Sequence, residues 1–157
     1  MSYIKTFTPK EFKIVPLRDC PLPADMVFCD TPALAAQYFD LNIKTHPQFN
    51  PEVECFITLI LNVRKRIKGH FFISSGLQDQ VFVHPREVFR GAIIASASAI
   101  ILMHNHPSGE SSPSGPDISI TRDLIAAGKL LKIEILDHII MGAGEHTSLR
   151  EKGFFYS

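Results

Sequence analysis

Two stretches of this chain are apolar on both alternating faces: 54-ECFITLILNV-63 and 99-AIILM-103. Successive side chains of a strand point to opposite faces, so a strand that is apolar on both must be covered on both. In the first stretch Phe56, Thr58 and Ile60 point one way, and Cys55, Ile57, Leu59 and Leu61 the other. Such strands lie inside a sheet, with a layer of structure above and another below. The intervening sequence supplies helices for those layers. In 31-TPALAAQYFDLNIKTH-46, Thr31 can cap a helix and Pro32 suits its first position, with Leu34, Tyr38, Phe39 and Leu41 as the apolar side. A second helix is expected over 85-PREVFRGAIIASAS-98, facing inward through Val88, Phe89, Ala92, Ile93 and Ala95, and a third over 117-DISITRDLIAAGKLL-131. Further strands are expected at 67-IKGHFFIS-74, as a hairpin partner across the RKR turn, at 80-QVFV-83 and at 133-IEILDHIIMG-142. The alternation predicts a three-layer α/β domain over residues 31–157. Residues 1–30 are proline-rich without a clear period and are expected to form an N-terminal arm packed on the domain surface.

Charge narrows the function. Sixteen basic residues balance sixteen acidic ones, which argues against a protein whose main task is gripping phosphate backbones. The local basic run 64-RKRIK-68 reads as a solvated hairpin turn. Cys20, Cys29 and Cys55 form no CxxC pair, a pattern of reduced thiols that points to the cytoplasm, with Cys55 as a small core residue. No secretory h-region is expected at the N-terminus. The longest weakly polar stretch, 88–103, carries Arg90 and is too short to span a bilayer.

The second apolar strand ends in two histidines, 104-HNHPSG-109. Side chains at i and i+2 share a strand face about 6–7 Å apart, within reach of one ion. Pro107 then stops the strand. A serine-, proline- and glycine-rich loop, 107-PSGESSPSGP-116, leads to Asp117, placed as a helix N-cap or first-turn acid. A catalytic zinc site takes three protein ligands and keeps one position open, and Asp117 would complete the pair of imidazoles. Glu54 opens the other apolar strand. A carboxylate beside so much hydrocarbon calls for a reason, and a general base next to a metal is one.

These residues together, Glu54 with 104-HNH-106, Ser114 and Asp117, resemble the E…HxHx7SxxD pattern of the JAMM (JAB/MPN-type) metal-dependent hydrolases. The segments 52-EVECFITLILNVRKRI-67, 84-HPREVFRGAI-93, 99-AIILMHNHPSGESSPSGPD-117, 136-LDHIIMG-142 and 148-SLREKGFF-155 are similar, in that order, to the RadC-like branch. The resemblance implies a cytidine-deaminase-like fold, a mixed β-sheet flanked by helices, and a Zn2+ ion held by His104, His106 and Asp117. It implies Glu54 as the general base that takes a proton from the metal-bound water and passes it to the leaving amine, and Ser114 as the residue that hydrogen-bonds the oxyanion. Glu52, on the same strand face, is the alternative base; the E-x-F pattern favours Glu54. Zinc lowers the pKa of bound water from about 15.7 to about 7 and polarises a carbonyl.

The implied activity is hydrolysis of peptide or isopeptide amides in a protein or peptide substrate. The alternative function is a DNA-repair or DNA-transaction accessory, the historical label of RadC-like proteins. A non-catalytic scaffold is disfavoured because all five motif positions are intact. His138, inside an expected strand, reads as a hydrogen-bonded core histidine or one supporting the ligands. His84 reads as a neighbour of a helix cap, and Asn105 as a residue that ties down the local turn.

Overall fold

A computed structural model describes residues 8–23, 28–76 and 83–156. Five strands form one mixed sheet. They are β1 (Cys55–Leu61), β2 (Ile67–Ser75), β3 (Ala99–Asn105), β4 (Glu134–Met141) and β5 (His146–Ser148). Their order across the sheet is β2-β1-β3-β4-β5. β1 runs antiparallel to both β2 and β3, β3 and β4 are parallel, and β5 returns antiparallel to β4. The parallel pair requires a crossover, which α3 (Gly115–Leu131) provides. α1 (Pro32–Tyr38) and α2 (Pro85–Ile94) complete the helices.

The alternation read from β1 holds residue by residue. Cys55, Ile57, Leu59 and Leu61 join Ala99, Ile101 and Met103 of β3 in one core, covered by Ala35, Ala36, Tyr38 and Phe39 from the α1 region. Phe56, Ile60, Ile100 and Leu102 build the other, under Val88, Phe89 and Ala92 of α2 and Leu124 of α3. The molecule is therefore a three-layer α/β domain, with α1 on one sheet face and α2 and α3 on the other. The polar loop between β1 and β2 is a turn held by Asn62, whose Oδ1 accepts from the amides of Arg64 at 2.9 Å and Arg66 at 3.1 Å.

Several expectations shift in detail. α1 is capped by Thr31 as expected, but beyond Tyr38 the chain widens into a π-helical turn over Phe39–Ile43, closed by the Lys44 amide on the Phe39 carbonyl. The wider turn rotates Ile43 and Asn42 inward and leaves Leu41 39% exposed, so Leu41 does not belong to the apolar side. α2 stops at Ile94, and Ile93 lies a third of a turn past the inward face and is exposed. α3 starts earlier than Asp117, with Ser114 as its N-cap. Of 80-QVFV-83, residues 80–82 lie outside the described residues, and Val83 is buried. β5 was not expected, because three residues carry too little periodicity to register. In the N-terminal region, Arg18 donates to the Asn42 carbonyl and Asn42 Nδ2 to the Pro21 carbonyl, each at 2.9 Å, which ties residues 18–21 to the π-helical turn.

One irregularity matters for the site. Ile100 pairs with Ile135, but Ile101 pairs with Asp137, so β4 carries one extra residue, Leu136. An extra residue swaps the face to which every later side chain points. Ile135 lies in the core under α2 and α3, whereas Ile139, of the same parity, lies in the core under α1. His138 is thereby turned onto the face of His104.

Candidate metal centre

β3 delivers the two histidines. His104 is its penultimate residue, on the face of Ile100 and Leu102, and is 1% exposed. His106 follows two residues on, and its amide still bonds the Met141 carbonyl at 2.9 Å, so the strand geometry continues through it. The third group comes from α3. Ser114 and Asp117 form a reciprocal capping box: Ser114 Oγ accepts from the Asp117 amide at 3.2 Å, and Asp117 Oδ2 accepts from the Ser114 amide at 2.8 Å. The cap fixes the carboxylate at the helix mouth, turned toward the imidazoles.

His104 Nε2 and His106 Nε2 are 3.0 Å apart. Asp117 Oδ1 is 3.2 Å from the first and Oδ2 is 3.3 Å from the second. These three side chains form the one group of potential metal ligands among the described residues. Donors around a tetrahedral zinc, at bond lengths of about 2.0–2.1 Å, stand about 3.3 Å from one another, so the triangle has the right size. Its chemistry also fits. His106 Nδ1 lies 2.8 Å from the Glu110 carbonyl, which can only accept, so that nitrogen carries the hydrogen. A neutral His106 therefore presents the lone pair of Nε2 to the centre. Hydrogen bonding to Asp117 holds the His106 pKa up against the opposing effect of burial, with the Glu110 carbonyl and the charges of Asp117 and Glu54 adding to the rise. Burial pushes the Asp117 carboxyl up, but the imidazoles of His104 and His106 beside it overcome this and hold it well below the usual carboxylate range. An anion and two imidazoles aimed at one point suit a divalent cation.

The structure separates the two glutamates. Glu52 is exposed in the turn before β1, with its amide on the Asn50 side chain. Glu54 is 9% exposed, and its Oε1 is 4.0 Å from His106 Nε2. Asn105 accounts for this placement. Its side chain faces away from the two imidazoles, accepts from the Cys55 amide at 2.9 Å and donates to the Val53 carbonyl at 3.0 Å. The residues on either side of Glu54 are thus pinned by the residue between the two histidines. Behind the site, Phe56 pairs with His104 across the strands and lies parallel to its ring, with interplanar angle 9°. Phe56 also meets His138 in an edge-to-face arrangement, with interplanar angle 65°.

The loop that carries the chain from His106 to α3 is anchored to the turn after β4. The Ala143 amide bonds the Gly109 carbonyl at 2.8 Å, and Glu145 accepts from the amide and hydroxyl of Ser111. Gly109 has φ +85°, and a Cβ on Gly142 would stand 2.5 Å from the Gly109 carbonyl oxygen. These glycines allow the two segments to touch, and that contact places the Glu110 carbonyl under His106.

The sequence singles out His104, His106, Asp117, Glu54 and Ser114, and the structure brings them together at the end of β3 and the start of α3. Sequence reasoning missed the Asn105 clamp on Glu54, the Glu110 carbonyl and Thr121. Only the β1–β3 register puts Asn105 beside Cys55. A backbone carbonyl carries no sequence signal, and Thr121 reads as one more polar residue of a helix. His84, as expected, sits at the α2 cap position, without a side-chain capping bond.

The sequence profile of the RadC-like JAB domain matches residues 29–154. The UPF0758 protein tlr1707 of Thermosynechococcus vestitus is 40% identical over 129 residues, covering 82% of this chain and 50% of that protein. UPF0758 proteins of Methanosarcina acetivorans and Alkaliphilus metalliredigens are 48% and 54% identical over 101 and 99 residues, which are 64% and 63% of this chain and 44% and 43% of theirs. The chain thus spans about half the length of these relatives. No helix among the described residues is long and apolar enough to cross a membrane.

Proposed function

Because the chain belongs to the RadC-like JAB domain family, and because it gathers His104, His106 and Asp117 about one point, we propose that it is a zinc-dependent hydrolase of amide bonds in a protein or peptide substrate. The observation that carries this reading is the pairing of that triangle with a shielded carboxylate. Glu54 Oε1 stands 4.0 Å from the His106 nitrogen that faces the centre. A metal held by the three ligands would supply a Lewis acid for a carbonyl and make hydroxide accessible at neutral pH. The remaining work falls to the protein's own groups. Glu54, set at the wall of the site, takes up a proton at its carboxylate and returns it to the departing amine. Ser114 uses its hydroxyl oxygen to accept the Asp117 amide, so its own hydrogen is a separate donor for a carbonyl oxygen gaining charge. Phe56 and the buried ring of His104 close the rear of the site to water.

Replacing Glu54 by glutamine tests the assignment of the base. E54Q keeps shape and hydrogen-bonding capacity but cannot take up the proton. It is expected to retain one zinc per chain while peptide or isopeptide turnover falls by about 10²–10⁴-fold. Turnover retained in a zinc-loaded E54Q would exclude Glu54 as the base.

A further inference from the structure

His104 is held from behind by a buried chain of hydrogen bonds. Its Nδ1 lies 2.8 Å from His138 Nε2. His138 Nδ1 lies 2.6 Å from Thr121 Oγ1, and Thr121 Oγ1 donates to the Asp117 carbonyl at 2.6 Å. His104, Thr121 and His138 are each 1% exposed or less, so water does not compete for these bonds. The chain begins on the ring of one ligand and ends on the backbone of another.

The end of the chain fixes its direction. A carbonyl only accepts, so the Thr121 hydrogen points to Asp117. Thr121 Oγ1 must then accept from His138, which places a hydrogen on His138 Nδ1. A neutral His138 accordingly presents a lone pair at Nε2, and that lone pair takes the hydrogen of His104 Nδ1. His104 is left with its Nε2 lone pair facing His106 and Asp117. We propose that Thr121 and His138 are positioning residues that set the tautomer and ring orientation of His104, making Nε2 the metal-binding nitrogen. The inference rests on the metal-site reading above. The extra residue in β4 supports it independently. Without Leu136 in the strand, position 138 would point into the core under α1; with it, His138 faces His104. The irregularity serves to aim this ring. Thr121 is suited to its part because a threonine on a helix can bond back to the carbonyl four residues earlier while its oxygen still accepts.

Two measurements test this. Long-range ¹H–¹⁵N correlation spectra of the wild-type protein read imidazole tautomers directly and need no substitution. The expected result is a hydrogen on Nδ1 of both His104 and His138; a hydrogen on His138 Nε2 overturns the proposal. Zinc affinity is then measured by competition with a chromophoric chelator for wild type, H138F, T121V and T121S. H138F and T121V are expected to lose about 10–100-fold in affinity, with recovery in T121S, which keeps the hydroxyl. Wild type that binds zinc while T121V binds it equally well overturns this proposal and spares the metal site. Wild type that binds no zinc overturns both.

Discussion

Asn105 sits between His104 and His106 yet serves the opposite side of the strand, and its bonds flank Glu54. It satisfies the Cys55 amide and the Val53 carbonyl, and it is 6% exposed. Truncation to alanine leaves both groups short of a partner in a place water reaches poorly, at a cost of about 1–3 kcal/mol. N105A is therefore expected to lower the urea midpoint, and to reduce turnover far more than zinc affinity. If zinc affinity falls instead, Asn105 acts on the ligands and not on the base. At this scale the sequence was most informative where a residue type clashed with its surroundings. Two imidazoles closing an apolar strand and a carboxylate opening another stood out because burial of such groups needs a purpose. The groups that orient them did not stand out. Asn105, Thr121 and the Glu110 carbonyl acquire roles only through register and loop closure.

At the scale of elements, the site depends on three pieces meeting: the end of β3, the first turn of α3, and the loop clamped to the turn after β4. Gly142 is the tightest point of that clamp, since a Cβ there would also stand 3.1 Å from the Ser111 amide. G142A must push the loop outward, and overpacking of this kind costs about 1–3 kcal/mol. The displaced Glu110 carbonyl would release His106 Nδ1. The expected outcome is a lower melting temperature and a smaller zinc-induced rise in it than in wild type; an unchanged rise would show that the clamp does not reach His106. The strands and helices that carry these pieces were legible, because β1 and β3 are apolar on both faces and Asp117 marks the first turn of α3, although the helix itself begins at Gly115. The π-helical turn after α1 and the extra residue in β4 were not. Both insert one residue without a change of composition, so 133-IEILDHIIMG-142 reads the same with or without the shift. The consequence was large for His138, whose facing depends on that shift.

For the whole molecule, stability is expected to depend on pH through a histidine beside the core under α1. In the core under α1, the Tyr38 hydroxyl and His70 Nδ1 are 2.8 Å apart. Burial, with Arg18 and His46 adding, pushes the His70 imidazole down to about 4 from 6.5. A histidine depressed in the folded state stabilises the fold fully above its unfolded pKa, and the contribution is lost as pH falls toward the folded value. The window is thus from 6.5 down to about 4. The loss is on the order of 2 kcal/mol once screening of this partly exposed ring is allowed for. The urea midpoint of metal-free protein is expected to drop across this range, with a shallower drop in H70Q; an equal drop would remove His70 as a source. His138, also pushed down by burial, keeps the slope from vanishing. Metal binding is the most direct test of the site. Purified protein, assayed by elemental mass spectrometry and titrated with zinc, is predicted to hold one zinc per chain. The folded double variant H104A/H106A is predicted to hold none. Wild type that neither carries stoichiometric metal nor binds added zinc, or a double variant that binds it as well as wild type, would contradict the account.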